Sequence, residues 1–207
     1  MKHIFAIYRR DIWSLLIVPT GAIVAGLFAL ACGIVFVAQV LHPSSIATMQ
    51  PVFNFAAWLL LLLCPAITMR LIAEERRVGT WELLLASPAT SFEIVKGKFL
   101  AAWTFLLLVL LSTLPLVFVL ELYASVDYGA VASGYLGLFL LGGAVLATGL
   151  FVSATTTSQT VAYLVTTFFW ITLSLSTKVL PGYVPTRFAD VVFALDPDLR
   201  MGAFSIG

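Results

Sequence analysis

Five long apolar runs, at residues 15–41, 53–72, 99–120, 130–152 and 160–177, constrain this chain more than anything else in it. Apart from Arg70 at the exit of the second, none contains Asp, Glu, Lys, Arg or His. Each is long enough to cross about 30 Å of hydrocarbon as a helix. Lipid offers the backbone no hydrogen bonds, so an apolar segment of this length must satisfy its own amides as it crosses. A mean hydropathy of +1.08, with 61% hydrophobic and 10% charged residues, excludes an ordinary soluble globular domain. The expected fold class is therefore all-α: a polytopic α-helical integral membrane protein, with residues 1–207 forming one transmembrane domain. The first run is too long for the core of a cleaved signal peptide. Cys32 and Cys64 both lie inside apolar runs and read as small hydrophobes rather than metal ligands.

The charges are concentrated where the apolar runs are not. Lys2, Arg9 and Arg10 precede the first run; Arg70, Arg76, Arg77, Lys96 and Lys98 follow the second. Together these are eight of the eleven basic residues, and the segments 42–52 and 121–129 have none. By the basic-residue bias of cytoplasmic flanks, the N-terminus and the central loop are expected in the cytoplasm. Residues 1–14 place Ile4, Phe5, Tyr8, Ile12 and Trp13 at helical spacing and predict an interfacial helix. Residues 178–207, broken by Pro181, Pro185 and Pro197, are expected on the outer side.

The central region, residues 70–98, reads as a folded element. Gly79 breaks a helix, Thr80 is placed to N-cap a short new one, and Glu82 in its first turn suits the dipole. Ser87 and Pro88 stop it, and Thr90 with Glu93 forms a capping box for the next helix. The short helix carries Trp81, Leu83, Leu84 and Leu85, a heavy apolar load between charged runs. In the first span, Gly21, Ala25, Ala29 and Gly33 form a four-residue row that predicts close helix packing. That reading sets Val24 and Phe28 on the opposite face. Pro65 is expected to kink the second span.

Several chemistries have no sequence support. Charge-poor spans argue against an ion-coupled carrier, which needs ionisable groups at membrane depth. Gly97-Lys98 runs into Phe99 without the glycine spacing of a phosphate-binding loop. No nucleophile with its base, and no metal cluster, is legible. Energy for uphill transport must come from another chain.

Two groups of residues resemble a known family. Tyr8-Arg9-Arg10-Asp11-Ile12 and Val18-Pro19-Thr20-Gly21 are similar to the N-terminal signature of the gliding-motility GldF-like branch of ABC-2 type permeases. Pro65-Ala66-Ile67-Thr68-Met69-Arg70, Glu74-Glu75-Arg76-Arg77, Gly79-Thr80, Glu82-Leu83-Leu84, Ser87-Pro88 and Gly97-Lys98 resemble the central motif of the wider ABC-2 family. Residues 153–162 resemble its turn between the fourth and fifth spans more loosely. The resemblance implies six spans per subunit, of which this chain has five, so 178–207 is expected to precede a missing sixth.

It further implies a permease subunit with no catalytic, cofactor-binding or metal site of its own, ATP and Mg being held by a partner. The implied partners are a cytoplasmic ABC ATPase subunit and a second permease subunit, alike or different. An auxiliary outer-side membrane protein is a further expected partner, the surroundings are the bilayer, and no nucleic acid is involved. The implied location is the bacterial cytoplasmic (inner) membrane. Mapped onto this chain, the ATPase-coupling element comprises Glu74, Glu75, Arg76, Arg77, Gly79, Thr80, Trp81, Glu82, Leu84 and Pro88. An ATP-driven exporter is the leading functional reading. The competing one is a non-transporting membrane scaffold that recruits a cytoplasmic partner to an envelope or motility machine.

Overall fold

A computed structural model describes residues 2–17, 19–41, 48–85, 89–124 and 127–179, and every element in it is helical. The elements are α1 (Lys2–Ile17), α2 (Pro19–Val35), α3 (Gln50–Leu71), α4 (Ala73–Val78), α5 (Thr80–Leu85), α6 (Ser91–Leu111), α7 (Leu114–Tyr123), α8 (Tyr128–Thr155) and α9 (Gln159–Val179). A π-helical turn, Phe36–Val40, prolongs α2. Five stretches are long and apolar enough to cross a membrane: Gly21–Val40, Gln50–Val78, Ser91–Tyr123, Tyr128–Thr155 and Gln159–Ser176. These match the five expected runs. The expected segment 178–207 lies outside the described residues beyond Val179.

The helix expected over 1–14 continues to Ile17, taking Leu15, Leu16 and Ile17 from the first span. Pro19 then opens α2, where its missing N–H leaves no helical bond unmade. Pro65 sits within α3, which remains helical on both sides of it. The third span is not one uniform helix. Pro115 cannot donate to the ladder, and α6 gives way to α7 at Ser112 and Thr113. The hydroxyls there make up part of the loss: Ser112 Oγ donates to the Val109 carbonyl at 2.6 Å, and Thr113 Oγ1 to that of Leu110 at 2.7 Å. Thr113 also meets Tyr135 of α8 at 2.8 Å.

Contacts along the bundle fix the helix directions. Gly134 of α8 faces the Phe53 ring near the start of α3, and Gly149 faces Thr68 near its end, so α3 and α8 run parallel. Gly143 faces Trp103, Gly142 faces Leu106 and Tyr135 meets Thr113, an opposed order that makes α6 antiparallel to α8. Trp170 Nε1 donates to Thr148 Oγ1 at 2.8 Å, and α9 likewise returns antiparallel to α8. Phe28, Cys32, Leu60, Cys64, Phe105, Leu106, Leu138 and Leu146 fill the space between these helices. Ile23, Leu27, Leu30, Ile34 and Val37 form an exposed apolar stripe along the outer side of α2, as a lipid-facing surface requires.

The first span corrects one expectation. Phe28, placed on the outward face from sequence, is only 1% exposed, and Val24 is half-buried against the core. The row Gly21, Ala25, Ala29 and Gly33 turns through about 120° in its three four-residue steps, so it runs off the buried face. The buried stripe instead joins Gly21, Phe28, Cys32 and Phe36. Gly21 is buried, with the Leu15 carbonyl and the Phe105 ring against it, while Ala25, Ala29 and Gly33 lie half-buried at the edge of this stripe.

Two outcomes follow for stability. Phe28→Ala should cost about 3–5 kcal/mol through the cavity it leaves, whereas exposed Leu27→Ala should be nearly neutral. A Cβ on Gly149 would lie 2.3 Å from Thr68 Oγ1 and 3.1 Å from its Cβ. Gly149→Ala should therefore lose about 1–3 kcal/mol by overpacking, and Gly26→Ala, with nothing within 4 Å, should not. Thermal unfolding in detergent of the four variants checks both.

Candidate functional site

The charges of the N-terminal helix and the central region converge on one closed cluster. Lys98, in the second turn of α6, is 1% exposed. Its Nζ lies 3.2 Å from Asp11 Oδ2 of α1 and 2.8 Å from Glu75 Oε2 of α4. Arg10 of α1 closes the ring from outside, with Nη2 2.8 Å from Asp11 Oδ1 and 2.6 Å from Glu75 Oε1. Exposure rises around the ring, from 7% for the Asp11 side chain to 18% for Glu75 and 48% for Arg10. Two cations thus alternate with two anions, and three helices are joined by side chains far apart in sequence.

Local sequence explains the placement. α1 crosses α6 at Gly97, where a Cβ would be 3.0 Å from Ile7 Cγ2 and 3.2 Å from the Ile4 carbonyl. Only a hydrogen at this position lets α1 approach so closely, and the next residue, Lys98, then faces Asp11 directly. Burial works against the Arg10 charge. Asp11 and then Glu75, by charge and by hydrogen bond, outweigh it and hold the guanidinium above its ordinary pKa.

α4 is set by its two ends. At its start Ile72 departs from helical geometry (φ −124°, ψ −48°), and the Ala73 N–H donates to Ser153 Oγ of α8 at 3.0 Å instead of to α3. Both Ala73 and Ser153 are fully buried. At its end Gly79 takes φ +79°, ψ 4°, a left-handed conformation that favours glycine and lets the chain start α5 at once. The Thr80 hydroxyl belongs to the first helical residue of α5 rather than to its N-cap position. It donates backwards to the Glu75 carbonyl at 3.3 Å, closing the end of α4. The Arg76 guanidinium lies over the Trp81 ring, 5.6 Å from its centroid, and ties α5 to α4. The Thr90–Glu93 capping box is present: Thr90 Oγ1 accepts from the Glu93 N–H, and the Glu93 carboxylate accepts from that of Thr90.

The coupling residues named from sequence therefore divide into three groups. Glu75 is held inside the ring, Arg76 lies over Trp81, and Trp81 and Leu84 are half-buried. Arg77, Gly79, Thr80 and Glu82 are exposed and form the outer surface of the α4–α5 corner. Pro88 and the side chain of Glu74 lie outside what is described. Sequence reasoning missed Arg10, Asp11, Lys98 and Ser153 as parts of the site. The available signal was Asp11, the one acid of residues 1–14, beside the apolar Ile12, and a lysine directly against a charge-free run. Among the described residues no three His, Cys, Asp or Glu side chains lie together as a metal would need.

The family described as ABC-2 family transporter protein matches residues 21–201, which covers the five spans and the α4–α5 corner and begins after α1. No curated protein matches the chain.

Lys98→Met should leave buried Asp11 and half-buried Glu75 without their shared ammonium and destabilise the protein by about 3–5 kcal/mol. Combining it with Asp11→Asn should recover part of that loss. Unfolding of the single and double variants in detergent, compared as a cycle, measures the coupling.

Proposed function

This chain belongs to the ABC-2 transporter family, and from that membership we propose that it is the permease subunit of an ATP-driven exporter. In this reading the α4–α5 corner receives a cytoplasmic ABC ATPase, and a second permease subunit completes the path. The observation that carries it is the corner itself. It is a short, capped pair of helices with an exposed rim of Arg77, Gly79, Thr80 and Glu82. The charge ring and the Ser153 hydrogen bond fasten that rim to α1, α6 and α8.

A push on the rim would reach α6 through Lys98 and α8 through Ser153. Such rigid fastening suits a surface that must transmit force. The concentration of basic residues on this side supports a cytoplasmic N-terminus in a bacterial inner membrane. Outward transport and a place near the gliding-motility branch rest on the sequence resemblance. ATP and Mg belong on the partner, since α4–α5 offers it a docking rim and not a phosphate loop.

Purified from its native membrane in mild detergent, the protein is expected to bring with it an ATPase whose hydrolysis it stimulates. Trp81→Ala, which removes the ring beneath Arg76, should weaken that association about tenfold, as loss of a single aromatic anchor commonly does, while membrane insertion persists. Reversing both rim charges (Arg77→Glu with Glu82→Lys) should slow the association. A partner that binds without hydrolysing ATP would favour the scaffold reading.

A further inference from the structure

One side of α1 is turned away from α6. It carries Phe5, Arg9, Trp13 and Leu16, three to four residues apart and all exposed. Phe5 is 63% and Trp13 51% exposed, values unusual for large aromatics in water. Arg9 stands in the middle of this apolar strip. Among the described residues no carboxylate pairs with it: the acid of α1, Asp11, is committed to Lys98 and Arg10 on the other side of the helix.

The depth of this strip is fixed by the crossing with α6. Ile4 and Ile7 of α1 touch α6 at Gly97, immediately before its apolar run begins at Phe99. α1 therefore lies where charged residues give way to hydrocarbon-facing ones, the level of lipid headgroups. α6 shows the same pairing of aromatic and cation at that level, with Phe92 exposed and Lys96 Nζ 5.8 Å from its ring centre. Tryptophan is at home at this boundary, and arginine there lays its stem on apolar surface while its head seeks an anion. A guanidinium matches a phosphate with two parallel hydrogen bonds.

We propose that Arg9, flanked by Phe5 and Trp13 on the outer face of α1, binds the phosphate of an anionic phospholipid. The exposed face has cationic charge and no acid, which selects an anionic headgroup over a zwitterionic one. The aromatics beside it select a phosphate attached to acyl chains over a free ion. Lipid binding is distinct from ATPase docking, because Arg9 and the α4–α5 rim belong to different elements.

The full chain, reconstituted in phosphatidylcholine nanodiscs with or without phosphatidylglycerol, provides the test. Retained lipid is read by native mass spectrometry and stability by thermal unfolding. Wild type should retain phosphatidylglycerol in preference to phosphatidylcholine and melt higher in its presence. Arg9→Gln should reduce that preference about fivefold, the share of one basic residue at an anionic surface, with an unchanged melting point in phosphatidylcholine alone. Arg77→Gln should keep the preference, and inorganic phosphate should not displace the lipid. Absence of preference in wild type overturns the proposal whatever the variant does. So does full retention by Arg9→Gln, or displacement by phosphate.

Discussion

The structure depends on surrounding one ammonium group with carboxylates where it is almost closed off from water. Lys98 is enclosed at the start of a membrane helix, and a lone charge there would cost several kcal/mol. Asp11 and Glu75 supply the opposite charges from two other helices, and Arg10 balances the surplus carboxylate. Without α4, Lys98 and Arg10 would share one carboxylate, and without α6, Asp11 and Glu75 would share Arg10 alone. The short element α4, only Ala73–Val78, has too few turns to be stable alone. It is held because the Glu75 carboxylate pairs with Lys98 and Arg10 of its neighbours.

Within the bundle a second constraint takes over, since apolar side chains gain nothing from exchanging lipid for one another. Close contact and internal hydrogen bonds must do the work. Gly134, Gly142 and Gly149 on α8 let Phe53, Leu106 and Thr68 sit against its backbone. Thr148 and Thr113 offer hydroxyls to Trp170 and Tyr135, the latter beside the break forced by Pro115. Small residues and hydroxyls thus appear on the same helices for the same reason.

Much of this was legible in the sequence wherever the cause is local. The five spans follow from apolar length, the Thr90–Glu93 box from a four-residue pattern, and the Gly79 break from the missing side chain. What was not legible needed tertiary information. Asp11, Glu75 and Lys98 are brought together only by the crossing at Gly97, and no periodicity within one helix reveals that pairing. Phe28 was misplaced because a visually regular row of small residues was taken for a face, against the turn of the helix. Thr80 has the right residue type for an N-cap, yet the left-handed Gly79 carries its hydroxyl back towards Glu75. Within the candidate coupling segment, sequence could not sort the inward members from the outward ones.

The ring of Arg10, Asp11, Lys98 and Glu75 has two positive and two negative members. It is electrically neutral as a body. A single charge moved across the full membrane field exchanges about 2.3 kcal/mol with a potential of 100 mV. A neutral quartet that moves as one unit exchanges almost none. Displacement of the quartet itself is therefore insulated from the membrane voltage, and any voltage response of α1, α4 and α6 falls to their other charges, Arg9 and Lys96 among them.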